Sequence, residues 1–119
     1  MLRTLAIIFG IVLIITGVLG FIPAFTANGK LFDIFRVNFE HNIANLASGI
    51  LALLCGLSSG FASKMFFIIF GVVCGFIAIM GFREGEGMLF EMIAINMADN
   101  FVHAGAAIVS LLIGFGLKY

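Results

Sequence analysis

The chain has 119 residues, 63% hydrophobic and 10% charged, with a mean hydropathy of +1.28. A soluble domain carries about a quarter of its residues as charges, so this composition excludes a mostly water-facing surface and calls for lipid as the main solvent. The net charge is zero, which gives no electrostatic reason for a nucleic-acid or acidic partner, and the length suits one compact bundle without a soluble domain beside it.

Ionisable residues divide the chain into spans. None lies between Arg3 and Lys30, between His41 and Lys64, between Lys64 and Arg83, or between His103 and Lys118. A membrane-crossing helix needs about 20 mostly apolar residues, and its backbone must satisfy its own hydrogen bonds. The pattern predicts helices over about 4–22, 38–57, 65–82 and 96–117.

The first follows Arg3 as a signal peptide would, but no A-x-A site follows it and a similar segment recurs later, so it is read as a retained span. It carries Gly10 and Gly17, two turns apart. The loop after it, about Ile22 to Val37, holds Leu31-Phe32-Asp33-Ile34-Phe35 and is expected to form a short turn at the interface, with Phe replacing the missing Trp. The second helix opens on Asn38, His41, Asn42 and Asn45 and carries Gly49 and Gly56. The third contains a GxxxG, Gly71 to Gly75. Such faces let helices approach closely, inside this bundle or against another subunit. Cys55 and Cys74 fall at membrane depths too different for a disulfide and are read as apolar fillers. A second loop, about Arg83 to Ile95, holds Leu89-Phe90-Glu91-Met92-Ile93, and the fourth helix opens on Asn96, Asp99, Asn100 and His103.

The two halves resemble each other. Ile7-Ile8-Phe9-Gly10 recurs as Ile68-Ile69-Phe70-Gly71, and Gly20-Phe21 as Gly81-Phe82. Beyond the loop the offset changes from 61 to 58: Gly29-Lys30-Leu31-Phe32-Asp33 aligns with Gly87-Met88-Leu89-Phe90-Glu91, and Asn38 with Asn96. Two units, about 1–60 and 61–119, each supply two helices. Both therefore enter the membrane in the same direction, which predicts a pseudo-twofold along the membrane normal. Arg3, Lys64 and Lys118 fall on one side, and Lys30, Arg36 and Arg83 on the other together with all six acids. The expected orientation has both termini in the cytoplasm.

The polar residues opening helices two and four occupy positions 0, 3, 4 and 7, an arc of about 100°. Each helix thus carries one narrow polar stripe that lipid would penalise, so both should face inward. Asn38 and Asn96 suit N-caps, and Asn96 with Asp99 resembles a capping box. Interhelical hydrogen bonding is a second bland use. The sharper uses are a metal site from His41, Asp99 and His103, with Glu40 as a fourth ligand, and a proton relay or small polar substrate site. No nucleophile–base pair, phosphate loop, CxxC or haem motif is visible in the sequence.

These residues are similar to the bacterial membrane-protein family catalogued as domain of unknown function 4383. In that pattern V-N-x-x-H-N-x-x-H precedes the second helix and V-N-x-x-D-N-x-x-H the fourth. Here they read Val37-Asn38-Phe39-Glu40-His41-Asn42-Ile43-Ala44-Asn45 and Ile95-Asn96-Met97-Ala98-Asp99-Asn100-Phe101-Val102-His103. Gly20–Pro23 also fits, and the resemblance covers nearly the whole chain. Asn45 stands where the pattern has histidine, so a site needing both of those imidazoles would be incomplete. The resemblance implies the architecture and a bacterial inner membrane, and it carries no activity.

The sequence thus predicts an all-α, integral membrane four-helix bundle of two tandem hairpins, a single domain over 1–119 without a cofactor. The expected function is non-enzymatic: an accessory or stabilising subunit of a larger membrane complex, or a homo-oligomer. The alternative is a small transporter, channel or ion-binding protein using the polar stripes. The expected partners are the bilayer, other membrane subunits or itself, and no nucleic acid.

Overall fold

In lipid a segment's backbone groups must pair among themselves, and the charge-free runs meet that demand as α-helices. A computed structural model describes residues 1–118 and places α1 at Leu2–Gly20, α2 at Phe39–Ser58, α3 at Gly60–Glu84 and α4 at Met97–Gly116. All four are long and apolar enough to cross a membrane. The longest dimension of the molecule is 42 Å, the thickness of a bilayer with its headgroups, about 40–45 Å. Side chains such as Leu112 and Phe115, 68% and 70% exposed, cover the outside. In water they would be a liability, and in lipid they are ordinary surface.

α1 packs chiefly on α2, and α3 on α4, giving two helical hairpins; α3 also touches α1 and α2. Within the first hairpin the backbones meet. A Cβ on Gly10 would stand 2.7 Å from the Gly49 carbonyl oxygen and 2.8 Å from the Leu53 nitrogen. Gly17 lies against Leu46, and Gly56 against Ile7 and the Arg3 carbonyl. In the second hairpin Gly71 meets Leu111, and Gly114 meets Ile68. At one level the sizes are exchanged: Ile14 sits on Gly49 in the first hairpin, whereas Gly75 faces Ala107 at an ordinary 3.7 Å in the second. All six glycines singled out in the sequence thus face the partner helix of their own hairpin.

At the end of the bundle bearing the termini, each hairpin closes with a cation. Arg3 donates through Nε and Nη2 to the carbonyls of Gly56 and Leu57, both at 2.8 Å. Lys64 donates to the carbonyls of Gly114 and Leu117. The last carbonyls of a helix have no intrahelical partner and carry its negative dipole end, so a cation there serves both needs. Lys64 is therefore inside a helix and not at its boundary, a correction to the span expected at 65–82. Ser59 sets the true start: its backbone is extended and its Oγ accepts the Ala62 N–H at 3.0 Å, an N-cap one residue after α2 ends. Phe9, Phe66, Phe67 and Phe70 fill this end around Leu2, Ala6 and Ala52, with Phe9 edge-on to Phe67 at 5.0 Å.

The opposite end differs from the expected short turns. β1 (Lys30–Leu31) pairs antiparallel with β2 (Phe35–Arg36), and β3 (Gly87–Leu89) with β4 (Ile93–Ile95). Both turns hold their central residues at positive φ: 54° and 60° at Phe32 and Asp33, 54° and 58° at Phe90 and Glu91. That is the sense of a type I′ turn, which normally selects Asn-Gly. The three extra residues of the first loop fall before β1, where Pro23–Phe25 and Ala27–Gly29 form 3-10 turns.

Gly10→Ala should lower stability by about 1–3 kcal/mol, because the new methyl meets backbone that cannot yield. Gly75→Ala should stay within about 0.5 kcal/mol of wild type. Thermal unfolding in mild detergent, followed by circular dichroism, separates the two; equal losses would contradict this packing.

Candidate functional site

The two polar stripes do not act as units. Asn38 and Asn96 are caps: Asn38 Oδ1 accepts the His41 N–H at 3.0 Å, and Asn96 Oδ1 accepts the Asp99 N–H at 2.9 Å. Asp99 Oδ2 accepts the Asn96 N–H at 3.0 Å, completing a capping box. Their amide nitrogens cross to the other half. Asn38 Nδ2 donates to the Met92 carbonyl and Asn96 Nδ2 to the Ile34 carbonyl, each at 2.8 Å. Arg36 adds a bond to the Gly87 carbonyl at 3.2 Å. The start of each long polar helix is thereby tied to the opposite β-hairpin.

Asn42 and Asn100 turn the other way, onto the first helix of their own hairpin. Asn42 Oδ1 lies 1.9 Å from where a Cβ on Gly20 would be, and Asn100 Oδ1 2.1 Å from the equivalent point on Gly81. Neither oxygen has an N–H or O–H partner among the described residues. Both sit along a glycine Cα–H, and the recurrence of this geometry identifies a weak Cα–H···O contact. Asn100 Nδ2 also donates to the Gly81 and Gly85 carbonyls, both at 3.0 Å, closing the end of α3.

The remaining four, His41, Asn45, Asp99 and His103, line one cavity of about 310 Å³ between the two hairpins. Val12, Leu13 and Thr16 of α1 and Phe70, Val73, Cys74 and Ile77 of α3 form its walls; Leu31, Phe35, Val37 and Ile93 close the β-hairpin end. The lining comes in matched positions. Val12 and Val73, Leu13 and Cys74, and Thr16 and Ile77 are each 61 residues apart. His41 and Asp99, Asn45 and His103, and Ser48 and Ala106 are each 58 apart. Residues at these two fixed offsets thus line one cavity with unequal chemistry.

The His41 and His103 ring centroids are 5.8 Å apart. His41 Nδ1 lies 2.8 Å from the Ala94 carbonyl oxygen. A carbonyl only accepts, so Nδ1 carries the hydrogen and Nε2 is the ring's remaining polar atom. His103 Nδ1 is buried with no hydrogen-bond partner among the described residues. Among the described residues no group of three His, Cys, Asp or Glu is placed to hold a metal ion, so His41, Asp99 and His103 do not assemble the ligand set considered from sequence. Asp99 Oδ2 is taken by its cap and His41 Nδ1 by Ala94, and Glu40 is exposed. Sequence reasoning missed Thr16, Ser48 and Cys74 as lining residues; the offset of 61 between Leu13 and Cys74 was the available signal.

Asn38→Asp keeps the capping oxygen and removes the donor to Met92. Stability should fall by about 1 kcal/mol, with faster hydrogen exchange along β4 and unchanged helicity. Exchange that rises only in the first turn of α2 would contradict the cross-tie.

No curated protein and no solved structure matches the chain. A family model does, over residues 3–116, its description being a domain of unknown function (DUF4383). The match runs through all four helices and both β-hairpins. With four helices able to span a bilayer, paired into two hairpins, the chain belongs to the DUF4383 family and is a small multi-pass membrane protein.

Proposed function

We propose that the protein is a non-enzymatic binding protein of the bacterial inner membrane that holds a small ligand between its hairpins, against His41, Asn45, Asp99 and His103. The observation that carries this is their convergence on one cavity while the neighbouring asparagines serve as caps and packing groups. A buried polar atom without a partner costs about 1–3 kcal/mol. His103 Nδ1 has no hydrogen-bond partner among the described residues, and a ligand that hydrogen-bonds there offsets that cost.

The accessory-subunit role drew on small size, almost no soluble part, small-residue helix faces and no catalytic set. The glycines that define those faces are occupied within the hairpins, which removes one of these four motives. The bilayer remains the partner this surface requires. In our reading the two hairpins are copies of one unit about a pseudo-twofold, and the termini are cytoplasmic, with the acid-rich β-hairpins outside. A C-terminal green fluorescent protein fusion should fluoresce and a C-terminal alkaline phosphatase fusion should be inactive; the reverse pattern inverts the orientation.

The binding reading is tested by native mass spectrometry of protein released gently from its own membranes. Wild type should carry one small-molecule adduct per chain. Asn45→Leu/His103→Leu should lose it while melting at or above the temperature of ligand-stripped wild type, since two buried polar groups have been removed. Adduct-free wild type in stoichiometric complex with larger subunits would overturn the proposal and restore the accessory role.

A further inference from the structure

The cavity is not closed on all sides. A second space of about 450 Å³ runs between α2 and α3 toward the end bearing the termini, lined by Ser48, Leu51, Cys55, Met65, Phe66, Ile69, Phe70 and Val73 and almost wholly apolar. Ser48, Phe70 and Val73 line both spaces, so the cavity and the apolar groove adjoin at these three residues. The rim of the groove faces lipid: Leu51, Ile69 and Val73 are 56%, 57% and 47% exposed. Along α2 the path from His41 to Cys55 is fourteen residues, about 21 Å at helical rise. That exceeds the apolar depth of one leaflet, about half of a 30 Å core. The polar end lies at the first turns of α2 and α4, where headgroups of that leaflet begin, and the apolar end points through the midplane. The combined shape and its polarity run in the same direction as a bilayer lipid.

The polar end also selects the head. Its functional atoms are rich in acceptors: the Asp99 carboxylate, His41 Nε2 and the Asn45 side-chain oxygen, with His103 Nδ1 unpartnered beside them. A phosphate head would meet the Asp99 carboxylate, and a cationic head would have to give up its hydration among mostly apolar walls. A hydroxyl donates to these acceptors without a charge to desolvate.

We propose that the cavity and groove together form a site for one uncharged, hydroxyl-bearing, single-chain lipid, taken in sideways from the bilayer between α2 and α3, with its head against His41, Asn45 and His103. This rests on reading the cavity as a binding site. Monoacylglycerols and isoprenoid quinols share the required chemistry.

Full-length protein in detergent would be incubated with 1-oleoylglycerol, with a decyl-chain quinol and with phosphatidylglycerol, then read by native mass spectrometry and thermal melting. One of the two hydroxylated lipids should bind at one per chain and raise Tm, and which one does so identifies the source. Val73→Trp plugs the junction from a half-exposed position and should abolish binding with little loss of stability. Asn45→Leu should weaken it about tenfold, the equivalent of one hydrogen bond. Preferential binding of phosphatidylglycerol would overturn the uncharged head. Retention of a water-soluble adduct from the native membrane, unaffected by Val73→Trp, would overturn the lipid while leaving the binding cavity standing. Absence of any adduct, with Asn45→Leu and His103→Leu both stabilising, would overturn both readings.

Discussion

Asn38 and Asn96 each divide one amide between two tasks, the oxygen capping a helix and the nitrogen holding the main chain of the opposite half at 2.8 Å. The arrangement of the molecule follows from where such ties are placed. Lipid supplies no hydrophobic force to press one hairpin against another, so association must come from packing and hydrogen bonds. Within each hairpin packing suffices, because glycine lets the main chains touch. Between hairpins the contact is concentrated at the ends: the phenylalanine cluster near the termini and the asparagine cross-ties at the β-hairpins. The cavity lies between these two contacts, with Phe70 of the cluster in its wall and the β-hairpins at its other end.

The division of labour within the polar stripes is a consequence of helical geometry. Consecutive residues are about 100° apart around a helix. His41 and Asn42, adjacent in sequence, therefore face different neighbours: Asn42 meets Gly20 of its own hairpin, and His41 meets the cavity. Asp99 and Asn100 divide in the same way. A stripe about 100° wide is wide enough to serve two faces at once. The same sequence feature that reads as a single inward site thus resolves into a cap, a packing contact and a lining.

Much of the fold was legible because charge is so sparse. Runs free of ionisable residues located four helices, and Asn at the head of two of them gave their caps. What was not legible has identifiable causes. The β-hairpins turn through Phe32-Asp33 and Phe90-Glu91 at positive φ, positions where Asn-Gly is the expected signal; bulky residues there conceal the turn. The start of α3 was hidden because Lys64 looks like a boundary, yet its charge is spent on the carbonyl end of α4. Gly20 and Gly81 matched each other along the chain, but their partners Asn42 and Asn100 become visible only once the helices are paired. For the candidate site the polar residues were legible and their partition was not, since periodicity gives an angle and not a neighbour.

The matched lining positions bear on what the cavity can bind. Two chemically identical halves meeting at an axis would offer a ligand two equal poses and would set like groups against like. Here the lining positions 58 or 61 residues apart differ in chemistry: His41 and Asp99, Asn45 and His103, Ser48 and Ala106, and Thr16 and Ile77. The rings that meet are those of His41 and His103, with centroids 5.8 Å apart, and the unequal side chains give the cavity a direction. Ser48 is the decisive member, because it belongs to both the polar cavity and the apolar groove between α2 and α3. A small polar residue there places a hydrogen-bonding group where the two spaces adjoin, and under the proposal above it leaves room for a chain to pass beside its head. On that reading the unequal lining, and not the gap between two hairpins alone, is what sets a head end apart from a tail end.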